Sequence, residues 1–241
     1  MKALLLAAGR GTRLRPLTDT VPKCLVPVAG KPTLVRAIEL LREQGVTDLI
    51  VNLHHRPEAV VDAIGDGGSL GVRVAYSFEP ELLGTAGALD PCRDRLGDSR
   101  FLVVFADNVF ACDLGEVVAL HERLGAALTM TLHHRDDVRA SGWADVDGDG
   151  VVRRFVEKPE SPEAFGGWVN AGLLVCEPRV LEAVPRGVAS DLGRDVVPAL
   201  LGANETVGGY RLPGSAHFLW IDTPADLERA ERLLGQEEAV A

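Results

Sequence analysis

After Lys2, residues 3–8, Ala-Leu-Leu-Leu-Ala-Ala, are apolar at consecutive positions and run straight into Gly9-Arg10-Gly11-Thr12-Arg13. A strand that is apolar on both faces must be covered on both, which points to the buried parallel sheet of an α/β protein. The glycines after it let the backbone approach a ligand closely, and successive free N–H groups form an anion-binding concavity. Arg13, Arg15 and Lys23 follow within a few residues, and Pro16, Pro22 and Pro27 stiffen the loop that carries them. Backbone donors together with mobile cations suit a ligand bearing several phosphates. Two common phosphate loops are excluded. The turn lacks the third glycine of G-x-G-x-x-G, and the next strand ends in His54-His55 rather than a ribose-binding acid. No Gly-Lys-Ser/Thr follows, so it is not a Walker A loop.

Charge is distributed to match. The chain of 241 residues carries a formal net charge of −10, yet residues 1–36 hold seven Lys/Arg against one acid. A basic island on an acidic protein argues for one local anionic ligand. It argues against a general nucleic-acid or membrane surface. No apolar stretch approaches the ~20 residues of a membrane span, and the N-terminal apolar run is too short, and too soon followed by arginines, for a signal peptide. The four cysteines (Cys24, Cys92, Cys112, Cys176) have neither paired nor zinc spacing, so reduced core thiols are expected, which suits the cytoplasm.

Up to about residue 135, strand and helix patterns alternate. Strands are expected at 2–7, 48–53, 72–76, 101–105 and 127–132, with helices after Thr33, after Pro57 and over 114–124. That alternation predicts a doubly wound α/β fold with a parallel sheet. After about residue 140 the texture changes. Residues 143–146 and 151–156 flank Asp147-Gly148-Asp149-Gly150 as a hairpin; a strand follows at 168–175, helical stretches at 179–183 and 191–201, and strands at 207–212 and 217–221. Thr223, Pro224 and Asp226 open a last helix as cap, first residue and capping-box partner. No long linker or short repeat interrupts the chain. It therefore reads as a single domain, 1–241, with no β-helix domain.

Asp107 and Asp222 each follow an apolar strand, the position at which open α/β sheets bind ligands, and two such carboxylates suit one divalent cation held against phosphates. In Glu157-Lys158-Pro159 a lysine can meet a phosphate and a glutamate can accept from hydroxyls. Asp145-x-Asp147-x-Asp149-Gly150 imitates a calcium loop, but its twelfth position is Val156, so it reads as a hairpin turn. The histidines form no ligand set.

In order, Leu6-Ala7-Ala8-Gly9-Arg10-Gly11-Thr12-Arg13, Pro22-Lys23, Glu81 through Gly84-Thr85-Ala86-Gly87, Asp107, Gly142, Glu157-Lys158-Pro159, Asn170-Ala171-Gly172 and Trp220-Ile221-Asp222 resemble the sugar-1-phosphate nucleotidylyltransferase family, its mannose-1-phosphate guanylyltransferase members in particular. Ala106 stands where the family often has Gly, and Ala8 likewise. The resemblance implies the Rossmann-like, doubly wound mixed sheet of the nucleotide-diphospho-sugar transferase fold, a nucleotide-binding half (1–135) and a sugar-phosphate-binding half (136–241), cytoplasmic work in nucleotide-sugar biosynthesis, and a sugar 1-phosphate attacking the α-phosphorus of an NTP with release of pyrophosphate. It implies catalytic roles for Arg13 and Lys23, and Mg²⁺ on Asp107 and Asp222. Nucleotide contacts would come from Leu6, Ala8, Gly9, Gly11, Thr12 and Arg13 in the loop, and from Glu81, Gly84 and Thr85 further on. The sugar phosphate would meet Lys158, Asn108, Gly142, Glu157 and Asn170. No general base is needed, because the attacking phosphate oxygen is already anionic, so positioning and charge neutralisation carry the chemistry.

Glu79 or Glu81 could accept from N1–H and the 2-amino group of guanine, a pairing uracil and thymine cannot offer. GTP with a mannose- or heptose-like sugar 1-phosphate is therefore favoured over a uridylyl or thymidylyl transfer. Rival classes are a catalytically inactive nucleotide-sugar sensor and a glycosyltransferase; the second would want Asp-x-Asp where the chain has Asp107-Asn108-Val109. Oligomeric state is open, with a homodimer as one option.

Overall fold

The computed structural model describes residues 1–160, 167–214 and 218–238. The strands are β1 (Lys2–Leu6), β2 (Pro27–Val28), β3 (Lys31–Pro32), β4 (Asp48–Leu53), β5 (Arg73–Phe78), β6 (Phe101–Phe105), β7 (Asn108–Phe110), β8 (Leu128–His134), β9 (Gly142–Val146), β10 (Val152–Glu157), β11 (Trp168–Cys176), β12 (Val207–Arg211) and β13 (Phe218–Trp220). The α-helices are α1 (Thr33–Glu43), α2 (Pro57–Ile64), α3 (Gly84–Gly87), α4 (Arg93–Leu96), α5 (Leu114–Leu124), α6 (Val197–Gly202) and α7 (Pro224–Glu238). This is the mixed α/β architecture the alternation predicts.

The chain forms two compact units that interleave along the sequence, where the sequence suggests consecutive halves meeting near residue 135. One comprises Met1–Leu4, Leu82–Val104 and Cys112–Ser215; the other comprises Leu5–Glu81, Phe105–Ala111 and Ala216–Ala241. Strands β1 and β6 each change unit near their C-terminal ends.

In the first unit the strands run β10-β9-β11-β6-β1, with β8 also on β11 and β12 on β8. Strand β11 is antiparallel to β6, β8 and β9, whereas β12 is parallel to β8. The hairpin β9–β10 closes through Asp147, whose Oδ1 accepts from the N–H groups of Asp149 and Val151 at 3.0 and 2.9 Å. The aspartates that imitate a calcium loop thus make a turn. Helix α5 begins at Asp113, whose carboxylate accepts from the Gly115 N–H, and ends at Gly125 in the left-handed region.

In the second unit β4 and β5 pair in parallel from Asp48↔Arg73 to Leu53↔Phe78. Leu34, Ile38 and Leu41 bury the apolar stripe of α1. The short strands β7 and β13 pair antiparallel, with Asn108 opposite Trp220. A core of Leu14, Val26, Val28, Val109, Leu219, Ile221, Ala230 and Leu234 ties the glycine-turn loop to this pair and to α7. The capping box at α7 forms reciprocally: Asp226 Oδ2 accepts from the Thr223 N–H at 2.9 Å, and Thr223 Oγ1 accepts from the Asp226 N–H at 3.2 Å.

The helix expected over 191–201 starts as a π-turn, Leu192–Val196, before α6. The strand expected over 217–221 is Phe218–Trp220, and residue 217 lies outside the described residues.

Candidate active site

In the second unit the N-terminal loop folds back on itself. Gly11 lies in the left-handed region (φ 60°), and a Cβ built on it would stand 2.9 Å from both Lys23 Cβ and Thr18 Cγ2. Only glycine meets both demands. Buried Thr18 closes the turn, its Oγ1 donating to the Gly11 carbonyl at 2.7 Å. The loop is thereby wrapped around Lys23, which is itself buried.

Lys23 stands between the two strand-end aspartates. Its Nζ is 2.6 Å from Asp107 Oδ2 and 2.7 Å from Asp222 Oδ1. Arg13 Nη2 also reaches Asp222 Oδ1 at 3.0 Å, from a side chain more than half exposed. Burial pulls the Lys23 ammonium down, and the carboxylates of Asp107 and then Asp222 more than offset it, so its pKa is raised from the ordinary 10.5. Lys23 is therefore a fixed cation at any working pH. Residues 13, 23, 107 and 222, scattered along the chain, meet in one formally neutral cluster.

The cluster bears on a metal site. A cation already sits between the two carboxylates, so their placement suits positive charge. Among the described residues no group of three or more His, Cys, Asp or Glu could hold a metal. Two carboxylates alone are what Mg²⁺ takes when substrate phosphates and water supply its other ligands. Asp107 and Asp222 fit that role.

Close to this cluster in sequence, Ala7 N–H donates to Asn52 Oδ1 at 2.7 Å, and Asn52 Nδ2 donates to Glu79 Oε1 at 2.7 Å. Asn52 and Glu79 are both buried, whereas Glu81 is exposed. A polar Asn within the apolar strand β4 is the one sequence signal of this bond. Asn108 lies in this unit beside Asp107, on β7.

The remaining predicted residues lie in the first unit. Gly142 opens β9 and pairs in register with Glu157 at the end of β10. Glu157 is partly buried; burial, then the nearby Asp191 carboxylate, raise its pKa above the ordinary 4.5, opposed by Lys158 and Arg194. Lys158 is exposed with φ 52°, and its N–H donates to the Ser141 carbonyl at 3.0 Å. A non-glycine residue in that region is uncommon and clusters at functional positions. Asn170 accepts through Oδ1 from the Gly172 N–H at 2.9 Å, where the β11–β8 register shifts.

Gly84 and Thr85 also lie here, away in the fold's partition from the other predicted nucleotide residues. Gly84 is left-handed, and its Cβ would meet the Ser190 carbonyl oxygen at 2.4 Å. Thr85 Oγ1 donates to Asp191 Oδ2 at 2.9 Å and accepts from the Leu192 N–H at 2.8 Å. Asp191 in turn caps the π-turn, accepting from the N–H groups of Gly193 and Arg194 at 2.9 and 3.1 Å. The segment 190–194 was read only as a helix start; its partnership with Gly84 and Thr85 spans about a hundred residues of sequence and no local pattern carries it.

A mixed α/β fold with a glycine-turn loop, a lysine and paired strand-end aspartates defines a nucleotide-handling class. The chain belongs to the nucleotidyl transferase family, whose model matches residues 2–233. It is 36% identical over 235 residues to a Synechocystis protein named UTP–glucose-1-phosphate uridylyltransferase, covering 92% of this chain and 60% of that one. It is 38% identical over 231 residues to a Candida albicans mannose-1-phosphate guanyltransferase, covering 94% of this chain and 62% of that one. The chain thus spans about three fifths of these relatives' length. Among solved structures, HddC from Yersinia pseudotuberculosis complexed with GMP-PN superposes with a TM-score of 0.79 at 27% identity, covering 97% of this chain and 99% of that one. A Bacillus anthracis chain superposes with a TM-score of 0.87 at 25% identity, covering 97% and 94%.

Proposed function

We propose that the protein transfers a nucleoside monophosphate from an NTP to a sugar 1-phosphate, releasing pyrophosphate. The observation that carries this reading is the Lys23 ammonium held between Asp107 and Asp222 inside the glycine-turn loop. The chemistry needs cations near a triphosphate and no proton-transfer group, and the cluster supplies two cations, Arg13 and Lys23, beside two carboxylates placed for a divalent metal.

In the reaction an oxygen of the sugar 1-phosphate forms a bond to the α-phosphorus, and the bond from that phosphorus to the bridging oxygen of pyrophosphate breaks. The electron pair leaves on pyrophosphate. Backbone N–H groups of residues 8–12 receive phosphate oxygens. Arg13 and Lys23 neutralise charge that builds on the departing pyrophosphate. Asp107 and Asp222 would hold Mg²⁺, which would supply further charge neutralisation at the phosphates. Lys158 takes the phosphate of the sugar substrate, and Glu157, Gly142 and Asn170 hold its hydroxyl side. Leu6, Glu81, Gly84 and Thr85 are the remaining proposed nucleotide contacts.

For the base, we infer GTP, and for the sugar a mannose- or heptose-like 1-phosphate. Buried Glu79 supplies a fixed carboxylate of the kind guanine's N1–H and 2-amino group require, and the Candida albicans relative's name supports the same reading. The Synechocystis relative's name supports a uridylyl transfer as the alternative. Pyrophosphate release measured over GTP, UTP, dTTP, ATP and CTP with several sugar 1-phosphates decides between them. A clear preference for GTP is expected; equal rates, or a preference for a pyrimidine nucleotide, sink the GTP reading while leaving the reaction class standing.

A further inference from the structure

The first unit seats one carboxylate between two glycines. A Cβ built on Gly142 would lie 2.6 Å from Glu157 Oε2 and 2.3 Å from Phe155 Cζ. A Cβ built on Gly193 would lie 2.5 Å from the same Glu157 Oε2 and 3.0 Å from Phe155 Cε1. Neither glycine has the left-handed backbone that side chains avoid. Their lack of a side chain is therefore a matter of space: at Gly142 the Phe155 ring and the Glu157 carboxylate fill it, and at Gly193 the Glu157 carboxylate fills it first and the Phe155 ring next.

The two walls of this slot come from different parts of the chain. Gly142 is opposite Glu157 in the β9–β10 hairpin. Gly193 belongs to the π-turn, a helix irregularity that recurs at functional sites. That turn is fixed by Asp191, which caps it, and Asp191 is held by Thr85. The slot thus runs from the Gly84–Gly87 segment through Asp191 to the carboxylate.

We propose that Gly193 is a positioning residue for the sugar 1-phosphate: by pressing bare backbone against Glu157 opposite Gly142, it confines the carboxylate to one orientation for accepting sugar hydroxyls. This rests on the reading that Glu157 holds the sugar. A methyl group at 193 would meet the far end of a flexible side chain, so the carboxylate would swing out of place while the fold persists. Displacement of a positioning group by about 1 Å can cost far more than its contact energy suggests.

The test is a double-mutant cycle on KM for sugar 1-phosphate and for NTP. Gly193→Ala should raise KM for the sugar 1-phosphate about tenfold or more and leave KM for the NTP unchanged. Glu157→Gln should raise the same KM, and the double variant should be no worse than Glu157→Gln alone, because the methyl then displaces nothing of use. Full additivity, or equal rises in both KM values, would overturn the inference. If Glu157→Gln leaves the sugar KM unchanged, the sugar role of Glu157 falls and the inference with it. If Glu157→Gln raises it and Gly193→Ala does not, only the positioning role falls. Should Gly193→Ala lower the melting temperature too far for kinetics, Glu157→Asp in that background should restore it, since the shorter side chain withdraws from the methyl; no recovery would count against the slot.

Discussion

The two units build their binding chemistry by opposite means. The second unit assembles paired charges, Lys23 and Arg13 against Asp107 and Asp222, at distances of 2.6–3.0 Å. The first unit assembles clearance, two bare glycines around one carboxylate, with a capped π-turn behind them. Charge clusters act over distance and are screened or competed for by ions. Clearances act at contact and fail by fractions of an ångström. The two regions should therefore break in different ways: the first kind in rate and metal dependence, the second in affinity for one substrate.

The largest effect is expected from the aspartates. Asp107→Asn and Asp222→Asn should each lower kcat roughly 10²–10³-fold, measured as Mg²⁺-dependent pyrophosphate release. Retention of the circular-dichroism spectrum would separate this from unfolding. Lys23→Met should cost a similar or somewhat smaller factor. It carries a second signature: the ammonium and a divalent cation want the same two carboxylates. Mn²⁺ titrated into Lys23→Met without nucleotide, followed by electron paramagnetic resonance, should bind more tightly than to the unaltered chain. Unchanged Mn²⁺ affinity would mean that Lys23 does not compete for the carboxylates.

Next comes the pH dependence of the first unit. The Glu157 pKa is raised, by burial first and by Asp191 second. Below that pKa the group is protonated and loses acceptor capacity, so KM for the sugar 1-phosphate should rise as pH falls through a value above the ordinary 4.5. Glu157→Gln should flatten this limb, apart from the titration of the substrate's own phosphate, which both proteins share. KM for the NTP should follow neither change. The smallest effect is expected at Thr85, whose hydroxyl donates to Asp191 and accepts from Leu192. Thr85→Val should cost about 1–3 kcal/mol, a fall of roughly 2–10 °C in melting temperature, with a modest rise in the sugar KM.

How much of this was legible in the sequence follows the same division. The glycine turn, its cations and the aspartates at strand ends are local signals, because a buried strand followed by glycine, or by Asp, carries its chemistry in adjacent residues. That Arg13, Lys23, Asp107 and Asp222 converge was implied by family resemblance, and the fold brings them together through the short β7–β13 pair, too short to show a period. The slot around Glu157 was half legible. Gly142 was picked out, but Gly193 lies in what reads as an ordinary helix start, and a π-turn has no distinct hydrophobic period. The Asn52–Glu79 bond joins the ends of neighbouring parallel strands, where registers follow from three-dimensional pairing and not from spacing. The interleaved units were hidden for the same reason: β6 is uniformly apolar and β1 is apolar after Lys2, so nothing in either marks the point at which it changes unit.

The central claim, that the second unit's charge cluster drives nucleotidylyl transfer onto a sugar 1-phosphate, meets its most direct test in one assay. Pyrophosphate release is followed with Mg²⁺, the nucleotide panel and mannose 1-phosphate or another sugar 1-phosphate, each substrate also being omitted in turn. The account predicts release that requires both an NTP and a sugar 1-phosphate, fastest with GTP, with the NDP-sugar formed in equal amount. Nucleotide binding without pyrophosphate release under any combination would contradict it and return the chain to the class of nucleotide-sugar sensors.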